Sequence, residues 1–68
     1  MYLHDALIQI LREKKTPMTL KELADQINLK KLYRRKDGKD IETYQISARI
    51  SNHPELFDRV DGEIRLKG

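Results

Sequence analysis

Thr16-Pro17-Met18-Thr19-Leu20-Lys21-Glu22-Leu23-Ala24-Asp25-Gln26-Ile27 is the stretch on which the fold turns. Pro17 biases Thr16 away from helical geometry and closes whatever precedes it. Thr19 and Glu22 have the spacing of a capping box: the Thr19 hydroxyl accepts from the Glu22 amide, and the Glu22 carboxylate accepts from the Thr19 amide. Met18 before the cap and Leu23 after it form a hydrophobic staple. Leu20, Leu23, Ala24 and Ile27 then recur at helical spacing. A helix is predicted over about 20–28, ending near Asn28, which tolerates left-handed backbone.

Toward the N-terminus, Leu3, Ala6, Leu7, Ile10 and Leu11 repeat as i, i+3, i+4, i+7 and i+8, one face of an amphipathic helix over about 2–14. Ile8 falls off that face, so it is partly exposed or meets another element. Cations in Arg12–Lys15 suit the negative C-terminal end of that helix. Toward the C-terminus, a third helix is predicted over about 41–52, with Asp40 as N-cap and Glu42 in the first turn. His53 precedes Pro54, which ends it. Phe57-Asp58-Arg59-Val60, Asp61-Gly62 and Glu63-Ile64-Arg65-Leu66-Lys67 form the pattern of a hairpin over about 56–67 with a two-residue turn. With Val60 opposite Glu63, the apolar face collects Phe57, Ile64 and Leu66, and Asp58 opposes Arg65 as an exposed pair. Arg59 lands on the apolar face and Val60 off it, a mismatch that a bulge or longer loop would repair.

The fold class is therefore mainly α with a C-terminal β-hairpin. Three helices followed by a hairpin is the order of a winged helix-turn-helix, a three-helix core plus wing. The 68 residues make one domain, 1–68. With no Cys, disulfides and thiolate metal sites are excluded. His4 and His53 lie far apart in the chain, and no carboxylates have a calcium or magnesium spacing. No metal, cofactor, catalytic residue or small-molecule substrate is expected, and the chain itself is read as not an enzyme. No apolar run nears the roughly 18 residues of a membrane helix, so no membrane partner is expected and an intracellular setting is.

Charge is concentrated. Asn28 to Asp40 holds Lys30, Lys31, Arg34, Arg35, Lys36 and Lys39 against Asp37 and Asp40, a surplus of four, whereas the whole chain carries +3. A basic cluster on a near-neutral body is the footprint of a polyanion binder. A solvated loop with ordinary surface lysines fits the charge equally well. A loop this long in so small a domain is usually functional or disordered. Leu29, Leu32 and Tyr33 are expected to pin it to the core, and Asp37-Gly38 marks a tight turn. Projecting the third helix at about 100° per residue puts Ile46, Ile50, Thr43, Ser47, Ser51, Tyr44 and Ala48 on an inward arc. Glu42, Gln45, Arg49 and Asn52 then form the outward strip. Tyr33 and Tyr44 read as packing residues rather than base-stacking ones.

The residues Leu7–Leu11, Thr16–Ile27, Leu32-Tyr33, Ile46–Ile50, Phe57–Val60 and Ile64–Leu66 resemble, in that order, the HARE-type helix-turn-helix domain. That family includes the N-terminal domain of the RNA polymerase delta subunit, Asx-like Polycomb-associated proteins, chromatin remodelling factors and domains fused to restriction endonucleases. The resemblance spans about residues 3–67. It implies a winged-helix fold and double-stranded DNA as partner, in a transcription, chromatin or restriction-modification setting. The location would then be the cytoplasm and nucleoid of a bacterium or a eukaryotic nucleus. The chain would serve as an appendage of a larger protein or beside a fused domain. The alternative is a protein-interaction module of a transcription complex without DNA contact.

If the third helix enters the major groove, Arg49 can reach guanine, Gln45 and Asn52 can pair with adenine, and Ser47 beside them can bond a base or phosphate. Glu42 would be repulsive near the backbone or accept from cytosine. Lys30, Lys31, Arg34, Arg35, Lys36 and Lys39 would meet phosphates, which confers affinity rather than sequence choice. Asp61-Gly62-Glu63 makes the hairpin tip acidic, unlike a groove-probing wing; Arg65 and Lys67 nearer its base remain candidates for phosphates.

Overall fold

The computed structural model describes residues 2–67. The chain runs α1 (Leu3–Lys14), β1 (Met18–Thr19), α2 (Leu20–Lys30), α3 (Thr43–Asn52), β2 (Phe57–Val60) and β3 (Glu63–Leu66). It is a winged helix-turn-helix: three helices enclose one apolar core, and a small antiparallel sheet ordered β1-β3-β2 closes it.

The apolar face of α1 goes inward as its spacing requires: Leu3, Ala6, Leu7, Ile10 and Leu11 are all buried, and Ile8 packs at the edge of the core. Lys15 ends α1 in left-handed geometry (φ 56°) and donates its amide to the Leu11 carbonyl at 2.9 Å. At the start of α2 the capping box forms in both directions, Thr19 N to Glu22 Oε1 at 2.9 Å and Glu22 N to Thr19 Oγ1 at 3.1 Å.

Residues Met18 and Thr19 do more than cap and staple. They pair with Ile64 and Glu63 as the outer strand of the sheet. Two residues carry no periodicity, so no local pattern announces this strand; it exists because the hairpin offers β3 an unpaired edge beside them.

Two helix boundaries move from their expected places. α2 passes through Asn28 and ends two residues later, at Lys30. Lys31 takes the left-handed position (φ 53°), and the Leu32 amide reaches back to the Ile27 carbonyl at 3.1 Å. The Asn28 side chain instead clamps the far end of the following loop. Its Nδ2 donates to the Ile41 carbonyl at 3.1 Å, and its Oδ1 accepts from the Ile41 amide at 2.9 Å. With Ile41 buried and both its peptide groups held this way, α3 cannot begin at 41. Its N-cap is Glu42 rather than Asp40, and the Glu42 amide donates to Gln45 Oε1 at 3.0 Å. Leu29 does not pin the loop: it lies on the outer face of α2, 75% exposed, and Leu32 and Tyr33 pack against the core.

The hairpin keeps the expected register, Phe57↔Leu66, Asp58↔Arg65, Arg59↔Ile64 and Val60↔Glu63. Asp61 and Gly62 both have positive φ (51° and 79°), the geometry of a two-residue primed turn. The mismatch at Arg59 is therefore not absorbed by a bulge. Arg59 extends past the core rim, and its Nη2 donates to Ser47 Oγ on α3 at 3.1 Å.

The two imidazoles meet in space. The His4 and His53 ring centroids are 4.3 Å apart, and Tyr2 stacks on His4 at 5.5 Å, so three rings tie the start of α1 to the end of α3.

Candidate nucleic-acid interface

The orientation of α3 decides what the molecule presents. Its two large apolar residues, Ile46 and Ile50, are buried, and the middle of its inward face lies between them. The opposite side of the helix, about 180° round, falls at Ala48. Ala48, Tyr44 and Ser51 are accordingly exposed, Tyr44 by 63%, whereas Gln45 and Arg49 are half-buried on one flank. The inward arc drawn through Thr43, Tyr44, Ala48 and Ser51 is thus corrected, Thr43 in the first turn being exposed as well. Those small or amphipathic residues give way to the isoleucines, which bury more apolar area per residue. Of the strip Glu42, Gln45, Arg49 and Asn52, the exposed members are Glu42 and Asn52.

Cationic segments border both flanks of this ridge. On one side Gln45 shares a shallow hollow with Tyr33, Arg35, Lys36 and Asp37 of the α2–α3 loop. On the other, Ser47 carries the guanidinium of Arg59. Gln45 and Ser47 stand about 160° apart around the helix, so loop and wing bracket it.

The six cations between Asn28 and Asp40 have different surroundings. Lys30 forms an ion pair and hydrogen bond with Glu13 of α1. This contact holds the Glu13 carboxyl below its ordinary range. Arg35 is built into the loop: Nη2 reaches Asp37 Oδ2 at 2.9 Å, and Nη1 donates to the Asp40 carbonyl at 3.4 Å. Lys31, Arg34, Lys36 and Lys39 are exposed and have no ion-pair partner among the described residues. On the wing, Arg65 and Lys67 both approach Asp58, each at 3.8 Å, and the tip carries exposed Asp61 and Glu63.

Arg59 joins the site although its spacing does not nominate it. The signal in the sequence is that it is the one cation on the apolar face of the hairpin. A charge there must leave the core edgewise, and the edge adjoins α3. Among the described residues no group of three or more His, Cys, Asp or Glu gathers as a metal site, and no helix is long and apolar enough to cross a membrane.

The family model for HARE-HTH, described as an HTH domain of ASXL and restriction endonucleases among others, matches residues 1–68. No curated protein and no solved structure gives a significant match.

Proposed function

This chain belongs to the HARE-HTH family, a helix-turn-helix DNA-binding domain type, and on that premise we propose that it binds duplex DNA with α3 in the major groove. The observation that carries the reading is the bracketed ridge: exposed Tyr44, Ala48 and Ser51 between the loop cations and Arg59. A major groove about 12 Å wide admits one helix, and the walls on either side are phosphates. Cations flanking a helix on both sides match that cross-section. Ser47 and Asn52 border the ridge and reach bases or sugar. Arg49 and Gln45 must swing out from their flank to do so, and Gln45 must release the Glu42 amide. Lys31, Arg34, Lys36, Lys39 and Arg59 supply phosphate contacts. Lys30 ties α2 to α1 through Glu13, and Arg35 braces the loop. Arg65 and Lys67, beside Asp58, contribute less, and the acidic tip stays out of the minor groove. The module delivers or positions a larger transcription, chromatin or restriction protein on DNA, in a nucleoid or nucleus.

Fluorescence anisotropy with a labelled mixed-sequence duplex tests this. Three to five phosphates neutralised at about 0.9 each, the number set by how many of these cations share one, give a slope of log affinity against log salt of roughly −3 to −5. Absence of measurable binding to any duplex at about 50 mM salt would overturn the proposal and leave a protein partner as the reading.

A further inference from the structure

The exposed cations of the loop are not spread evenly. Lys31, Arg34 and Lys39 line one hollow of about 200 Å³, walled by Tyr33 and closed by Asn28, Gly38 and Asp40. We propose that this hollow is a preformed pocket for a single backbone phosphate of the bound duplex, an inference that rests on the DNA-binding reading above.

Charge is the first reason. The three cations have no ion-pair partner among the described residues, and Asp40 is the one carboxylate on the rim, leaving a surplus of two positive charges. Like charges brought together repel in the free protein, so an oxyanion placed among them is attracted by all three.

The shape is held by bonds that leave these three side chains free. Lys31 sits at the left-handed end of α2, its backbone fixed through the Ile27 carbonyl. Asp37 accepts from the Arg35 guanidinium and from the Lys39 amide, the latter at 3.0 Å. The Gly38 amide donates to the Arg35 carbonyl at 3.0 Å, closing the turn. Asn28 clamps Ile41 on the far side. A segment serving only as a solvated charge reservoir needs none of this. A binding site does, because fixing the loop in advance removes ordering cost from the binding step.

Size and polarity select the ligand. Cofactor and drug-like sites are larger and mostly apolar. This one is small, open and lined by donors, which suits a tetrahedral oxyanion. Its position selects the source. Tyr33 also lines the hollow that contains Gln45 of α3. A phosphate here therefore belongs to the strand bordering the groove that α3 faces.

The test measures salt slopes on the whole chain with a short mixed-sequence duplex, and follows the Gly38 and Lys39 amides by NMR. Because the three cations share one phosphate, Lys31→Gln, Arg34→Gln and Lys39→Gln should each weaken binding several-fold, while the triple variant should reduce the slope by only about one in all. Lys30→Gln should leave it unchanged, because Lys30 already faces Glu13. The two amides should shift on titration with duplex. Inorganic phosphate alone should move them in the same direction, and far more weakly. Tight wild-type binding left untouched by the three variants, or a slope lowered by about three in the triple variant as three separate contacts require, would overturn the pocket while sparing the DNA reading. Saturable shifts with inorganic phosphate and none with duplex would overturn it in favour of a free phosphate ligand. Failure of every duplex to bind would remove the reading beneath it as well.

Discussion

Asn28 and Arg59 do the most positioning per residue. One side-chain amide satisfies both peptide groups of buried Ile41, thirteen positions along the chain. Asn28→Ala should therefore destabilise the fold by about 2 kcal/mol, the cost of stranding part-buried backbone groups, measured by urea denaturation. The same change should leave the loop less ordered, so duplex affinity should fall further than the stability loss alone explains. Arg59→Ala should behave oppositely. It removes an exposed cation bonded to a neutral hydroxyl, so stability should stay within about 0.5 kcal/mol and the salt slope should fall by about one. Both roles are only half legible in the sequence. Asn28 reads as a helix terminator because its type favours that job locally, and a hydrogen bond to a distant backbone leaves no trace in local spacing. Arg59 reads as an irregularity in an alternating pattern. The irregularity is real, and what absorbs it is a neighbour on another element.

At the scale of elements, boundaries set by neighbours in the chain are legible and those set by distant contacts are not. The Thr19–Glu22 box, the α1 apolar face and the hairpin register follow from short-range spacing, and all three form as that spacing predicts. Thr19→Ala should cost about 1 kcal/mol through loss of the cap, seen as a lower denaturation midpoint. Gly62→Ala should cost roughly 1–2 kcal/mol. Its φ is +79° and nothing lies within 4 Å of where the alanine methyl would stand, so the penalty is backbone geometry and not a clash. The end of α2 and the start of α3 are displaced because Asn28 stays within α2 and its side chain holds buried Ile41 by both peptide groups. The exposed face of α3 departs from its projection for another reason. An evenly drawn arc weights serine and alanine like isoleucine, whereas burial is settled by apolar area.

For the whole molecule, charge and protonation set the working conditions. Glu13, Glu22 and Glu55 are each held below the ordinary glutamate range: Glu13 mainly by its hydrogen bond from Lys30, Glu22 by accepting from the Thr19 amide, and Glu55 by its own backbone amide and then His53. A carboxyl lowered in the folded state binds fewer protons than in the unfolded chain. Its contribution is complete above the unfolded value, near 4.5, and is lost as pH falls through the folded value below it. Thermal midpoints should therefore be flat with respect to these groups at neutral pH and drop below about pH 4.5. Glu22→Gln should start lower and show a shallower drop. All three groups are solvent-exposed, so the effect should be modest and salt-sensitive.

Composition, helical spacing, one capping box and one two-residue turn were enough to determine the order of the three helices and the hairpin and the winged-helix class, because those are governed by interactions within a few residues; the short strand β1 was not among them. The cluster of cations was visible too, as a matter of counting. Which cations stay free, which brace the loop, which side of α3 meets solvent, and that Arg59 lies across it were decided only by tertiary structure. Each depends on a contact between positions far apart in the chain, Lys30 with Glu13, Asn28 with Ile41 and Ser47 with Arg59, and such contacts arise only once the core has brought the elements together.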